Sequence, residues 1–84
     1  MMGNVRFDFR GRTVIVTGAA RGIGLELARY FRAASADVFM VDYDADELKR
    51  AAAEVGAHGV AADVGDTDDV ARVVAGAVEQ TGRV

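Results

Sequence analysis

Apolar positions along this 84-residue chain fall into short continuous runs separated by stretches of helical period. Thr13-Val14-Ile15-Val16-Thr17 is a β-branched run closed by Gly18, the pattern of a buried strand. From Gly22 onward, Ile23, Leu27, Phe31 and Ala34 recur at helical spacing while Glu26, Arg29 and Arg32 fall elsewhere. This predicts an amphipathic helix with those four residues inward. Val38-Phe39-Met40-Val41 predicts a second strand, ending at Asp42. Asp44-Ala45-Asp46-Glu47 then resembles a capping box. The helix it opens carries Leu48, Ala52 and Val55 inward and stops at Gly56. Val60-Ala61-Ala62 predicts a third strand, ending at Asp63. Asp66 or Thr67 caps a third helix with Val70, Val73, Val74, Ala77 and Val78 as one apolar stripe and Gly82 as its stop. Gly76 lies inside that helix and weakens it by about 1 kcal/mol relative to alanine. Arg83-Val84 read as the first step of a fourth strand.

The predicted order is therefore β-α-β-α-β-α, and continuous apolar strands alternating with helices imply an α/β fold with a parallel sheet covered on both faces. Right-handed crossovers put the strands in spatial order 3-2-1 with the first two helices on one face. The third helix begins a crossover toward the far side of the first strand, as in a doubly wound sheet. An edge left open there is a liability for an isolated chain, so a homo-oligomer is expected.

Composition narrows the setting. Hydrophobic residues make up 51% of the chain and charged residues 27%, with a net charge of −3, which is a globular balance. The mild acidity argues against nucleic acid or an acidic membrane surface as a partner. There is no cysteine, hence no disulfide framework and no thiolate chemistry. The stretch from Met1 to Arg6 lacks the apolar core of a secretory signal, and no run approaches the roughly 18 apolar residues of a membrane span. A cytoplasmic location is expected.

The candidate chemistry sits at the carboxyl ends of the three strands, the edge where open α/β sheets bind ligands. Thr17-Gly18-Ala19-Ala20-Arg21-Gly22-Ile23-Gly24 places three glycines at a strand-to-helix turn. Glycine permits close backbone approach there, and the free N–H groups of the new helix form an anion site. Asp42 stands eighteen residues after Gly24. A carboxylate at that place accepts hydrogen bonds from ribose hydroxyls and repels a 2′-phosphate, or it caps the next turn. Asp63 and Val64 offer a carboxylate and a backbone N–H to an adenine edge, unless Asp63 is only a turn former.

The turn resembles the T-G-x-x-x-G-x-G signature of the short-chain dehydrogenase/reductases. The resemblance extends to Phe9-Arg10-Gly11-Arg12, Asp42, Asp63-Val64 and Thr81-Gly82-Arg83-Val84. It implies that residues 1–84 form the N-terminal part of a Rossmann-like dinucleotide-binding domain. Gly18, Gly22 and Gly24 would shape the pyrophosphate loop, the Ile23 N–H would meet a phosphate, Asp42 would hold ribose, and Asp63 and Val64 would hold adenine. Arg21 resembles a basic residue that some members use for the 2′-phosphate of NADP. It could equally sit on the pyrophosphate or pair with a surface carboxylate. Because Asp42 opposes a phosphate, NAD is expected over NADP.

By the same resemblance Ser35 occupies a place where members usually have glycine, and a left-handed backbone there costs serine roughly 1 kcal/mol more. The family's catalytic Tyr-x-x-x-Lys pair has no match. Lys49 is the sole lysine, and neither Tyr30 nor Tyr43 precedes it by four. No catalytic residue is nominated, and hydride exchange with an alcohol or carbonyl substrate is expected only of a complete enzyme. The remaining polar residues read plainly: His58 as a surface loop histidine without metal partners, Tyr30 and Phe31 as packing residues, and Asp66, Asp68 and Asp69 as a helix N-terminus rather than a metal site. The rival to an oxidoreductase half is a non-catalytic dinucleotide-binding or assembly module. A site for another adenosine ligand, such as S-adenosylmethionine, fits the glycine spacing less well.

Overall fold

The computed structural model describes residues 9–82. Three strands, β1 (Thr13–Thr17), β2 (Asp37–Asp42) and β3 (His58–Ala61), alternate with three helices, α1 (Gly22–Ala33), α2 (Ala45–Val55) and α3 (Thr67–Thr81). The sheet is parallel, with order β1-β2-β3, the expected 3-2-1 read from the opposite edge. Arg83 and Val84, expected to open a fourth strand, and the N-terminal Met1–Arg6 segment lie outside the described residues.

Register follows from the need to bury β2 on both faces. Thr13 lies opposite Asp37 and Thr17 opposite Val41, while Phe39 lies opposite His58 and Asp42 opposite Ala61. Alternate side chains then point to opposite faces. Val16, Val38 and Met40 join Ala28, Leu48, Ala51 and Ala52 in the core beneath α1 and α2. Val41 joins Ala62 and Val73, with Ile15 and Val60 packed against them, in a smaller core beneath α3. Gly59 lets α2 lie close to β3, since a Cβ there would stand 3.1 Å from the Ala52 Cβ and 3.4 Å from the Leu48 Cγ.

The caps match their residues. Asp44 accepts from the Glu47 N–H at 3.1 Å, and Gly56 ends α2 in the left-handed conformation. Only half of the capping box forms, because the Glu47 carboxylate pairs with Arg50. Asp66 caps α3, accepting from the Asp68 N–H at 2.9 Å, and Gly82 ends it with φ of 78°. After α1, Ser35 has φ of 74°. The Ser35 N–H donates to the Arg32 carbonyl and the Ala36 N–H to the Phe31 carbonyl, each at 3.0 Å, which is the Schellman pattern.

Two expected faces differ from those observed. In α1 the buried residue is Ala28, with Leu25 and Phe31 packed against the core. Ile23 is 81% exposed, and Leu27 and Tyr30 lie outside with it. In α3 only Val73 and Ala77 are buried, while Val70, Val74 and Val78 are exposed. Three strands present too narrow a surface to cover the whole valine stripe. His58 stacks on Phe39 with ring centroids 4.5 Å apart and pairs with Asp37 at 2.9 Å. Those contacts hold it at the sheet end opposite the glycine turn. Among the described residues, no helix is long and apolar enough to cross a membrane, and no acidic, histidine or cysteine cluster is placed to hold a metal.

The left-handed Ser35 yields a direct stability prediction. Ser35→Gly removes a Cβ from a backbone that disfavours it and is expected to raise unfolding stability by about 1 kcal/mol. The readout is the urea midpoint, and a midpoint that falls contradicts the assigned conformation.

Candidate functional site

The turn between β1 and α1 is built from two kinds of glycine. Gly18 and Gly22 have φ of 60° and 62°, a region that favours glycine, and a Cβ on either would meet open space. Gly24 has ordinary helical backbone but no room. A Cβ there would overlap the Gly18 carbonyl oxygen and lie 2.7 Å from its carbon. The first turn of α1 therefore rests directly on the end of β1. This contact helps set the rotation of the helix: Ala28 and Phe31 follow Gly24 at i+4 and i+7 toward the sheet, while Ile23, Leu27 and Tyr30 are exposed.

The turn is bolted to the end of β2. The Ala19 N–H donates to the Val41 carbonyl at 3.1 Å, and the Ala20 N–H donates to Asp42 Oδ2 at 3.1 Å. Asp42 Oδ1 accepts from the Asp44 N–H at 3.3 Å. At 8% exposure Asp42 is a buried carboxylate, and two backbone donors offset its desolvation. Each oxygen retains a further lone pair for another donor. The two expected roles of Asp42 are thus compatible, because the turn contacts leave acceptor capacity free.

With Ala19 and Ala20 turned toward β2, the N–H groups that begin α1 are those of Gly22, Ile23 and Gly24. The first N–H groups of a helix lack intrahelical partners. Arg21, at the N-cap, makes no side-chain capping bond, and the first turn carries no acid. Both α2 and α3 are closed by an aspartate cap and two acidic residues. The start of α1 thus combines bare backbone at Gly18 and Gly22 with unanswered donors and the positive end of the helix dipole. That is a cradle suited to a phosphate.

Arg21 extends across the turn to Asp44, with Nη2 3.3 Å from Oδ2. Of its three expected destinations, the structure shows the surface carboxylate. Asp44 was legible as a helix cap but not as this partner, which lies 23 residues away in sequence. Asp63 is one strand further along the edge. Its Oδ1 accepts from the Gly65 N–H at 2.8 Å and its carbonyl from the Asp66 N–H at 3.0 Å, a turn-forming arrangement. Its own N–H donates to Asp69 Oδ2 at 3.0 Å. That bond, followed by Arg72, holds the Asp69 carboxyl below its usual range. Val64 is exposed on the rim of an apolar cleft of about 40 Å³, lined also by Ile15, Thr17, Val41 and Val74. Neighbouring strands are spaced by about 4.8 Å, so the edge from the glycine turn to Asp63 spans on the order of 10 Å.

A family model described as short chain dehydrogenase matches residues 12–84. The chain belongs to that family. It is 45% identical over 78 residues to 1-deoxy-11-beta-hydroxypentalenate dehydrogenase of Streptomyces exfoliatus, covering 87% of this chain and 28% of that protein. Among solved structures, a short-chain glucose/ribitol dehydrogenase from Brucella melitensis superposes with a TM-score of 0.88 at 35% identity, covering 93% of this chain and 35% of that one. A 3-ketoacyl-(acyl-carrier-protein) reductase from Brucella melitensis, crystallised with NADH, superposes with a TM-score of 0.85 at 34% identity, covering 92% and 32%. The chain thus spans about a third of the length of these relatives.

In this short-chain dehydrogenase segment, Gly24 is the least tolerant of a side chain among the described glycines. Gly24→Ala is expected to destabilise the fold by about 3 kcal/mol through backbone overlap with Gly18. Gly76→Ala, in open space within α3, is expected to stabilise by about 1 kcal/mol. Thermal unfolding of both variants checks the contrast, and equal effects would contradict the packing described.

Proposed function

We propose that the carboxyl edge of this sheet binds the adenosine diphosphate half of NAD and that the chain serves an NAD-dependent short-chain oxidoreductase. The observation that carries this reading is the open start of α1, with its two bare left-handed glycines, joined by a hydrogen bond from Ala20 to the carboxylate of Asp42. Membership of the short-chain dehydrogenase family supports it. The likeness to a reductase crystallised with NADH supports a nicotinamide dinucleotide as the ligand.

In this reading Gly18, Gly22 and Gly24 shape the loop, and the Ile23 N–H donates to a pyrophosphate oxygen. Arg21 borders that loop with its guanidinium paired to Asp44. Asp42 accepts from the ribose hydroxyls with the lone pairs that Ala20 and Asp44 leave free. The negative charge of Asp42 disfavours a 2′-phosphate in a partly desolvated corner, which favours NAD over NADP. Asp63 and Val64 flank adenine, with Val64 supplying apolar surface and Asp63 Oδ2 an acceptor. Bound NAD supplies a hydride acceptor, or in its reduced form a donor, for an alcohol or carbonyl substrate. These residues bind and orient; none is assigned the proton transfer, and the activity belongs to the complete enzyme.

Asp42→Ala in the full natural polypeptide carrying these residues tests the assignment. NAD is expected to bind the unaltered protein by calorimetry. The variant is expected to lose at least about tenfold in NAD affinity and much of its preference over NADP. Its stability is expected to fall by about 1–3 kcal/mol, because the Ala20 and Asp44 N–H groups lose their acceptor. Unchanged preference between the two dinucleotides, or no NAD binding by the unaltered protein, would overturn the proposal.

A further inference from the structure

Arg21 is the one charged side chain of the glycine turn, and the structure gives it a specific partner. Its guanidinium meets Asp44 Oδ2 at 3.3 Å. The other oxygen of Asp44 accepts from the Glu47 N–H at 3.1 Å and caps α2. The backbone N–H of Asp44 donates to Asp42 Oδ1 at 3.3 Å. A single residue therefore caps a helix, supports the ribose-side carboxylate and holds the cation of the turn. Each duty falls on a different atom, so they are separable by substitution.

We propose that Asp44 is a specificity-determining positioning residue: by tethering Arg21 it withholds that guanidinium from a 2′-phosphate and strengthens the preference for NAD over NADP. The proposal rests on the dinucleotide reading of the site above. A 2′-phosphate beside Asp42 would lie within reach of the same corner that Asp44 and Arg21 occupy. The planar fork of arginine matches phosphate geometry well, so an untethered Arg21 is an effective competitor for it. While paired with Asp44 its charge is compensated, and engaging a phosphate first requires breaking the pair. The side chains are 67% and 39% exposed, so the pair is partly screened. Exposed pairs of this kind correspond to a factor of at most about five. Asp44 thus acts as a graded bias added to the repulsion from Asp42.

Asp44→Asn isolates the tether. Asparagine caps a helix about as well as aspartate, so the bond from Glu47 N–H is retained while the charge facing Arg21 is removed. Dissociation constants for NAD and NADP are measured on the full natural polypeptide, on Asp44→Asn, on Arg21→Ala and on the double variant. Asp44→Asn is expected to raise NADP affinity relative to NAD by about threefold to fivefold, with NAD affinity changed less than about twofold. In the Arg21→Ala background the same substitution is expected to produce no gain, because the effect runs through Arg21. A gain of equal size without Arg21 would show that Asp44 acts by direct repulsion and would overturn the tether. An unchanged ratio in Asp44→Asn would overturn it too. Should Asp44→Asn unfold, Asp44→Ser retains a capping oxygen without the charge and gives the same two readings. NAD binding with an unaltered ratio defeats only this inference, whereas absence of NAD binding by the unaltered protein defeats the dinucleotide site itself and this inference with it.

Discussion

The backbone contact between Gly18 and Gly24 governs most of this structure. A Cβ on Gly24 would overlap the Gly18 carbonyl, so the first turn of α1 can press on the end of β1 only because residue 24 lacks a side chain. That contact fixes how α1 is rotated about its axis. It sends Ala28 and Phe31 toward the sheet, leaves Ile23 and Leu27 outside, and points the first N–H groups of the helix past the strand ends. The geometry that suits the turn to the proposed phosphate is thus the same geometry that packs the helix.

Asp42 has a similar double part. A buried carboxylate without partners would be costly, and here two backbone donors from two different loops converge on it. The carboxylate therefore fastens the glycine turn to the β2–α2 connection while each oxygen keeps a lone pair for a further donor. In the proposed dinucleotide site, fold and recognition are coupled at this residue, so its substitution must be read with stability and binding measured together. Arg21 and Asp44 form a second, weaker link across the same two loops. Its partial exposure makes it adjustable where the Asp42 contacts are firm.

Much of this was legible in the residues themselves. The β-branched run Thr13–Thr17 has the observed strand bounds, and Asp44, Gly56, Asp66 and Gly82 mark helix ends by cap chemistry that acts within a few residues. The left-handed backbone at Ser35 is the conformation that the resemblance implied, despite the serine. The inward face of α1 was not legible, because Ile23, Leu25, Leu27, Ala28, Tyr30 and Phe31 supply apolar residues around most of the helix. Periodicity alone then offers two stripes, and the steric demand at Gly24 chooses between them. The α3 stripe misled for another reason: Val70, Val74 and Val78 are apolar positions that the three described strands do not cover. The partner of Arg21 depends on two loops meeting in space, which no local pattern encodes.

The central claim is that the start of α1, rather than any other surface of this fold, receives the phosphates of a dinucleotide. Backbone amide NMR during titration with NAD tests it most directly. The largest shifts are predicted at the Gly22, Ile23 and Gly24 amides, with smaller ones at Val64. The Ala20 amide is predicted to move less than these because Asp42 already holds it. Shifts concentrated at the opposite sheet end, around Ser35, Asp37 and His58, with the α1 amides unmoved, would contradict the claim.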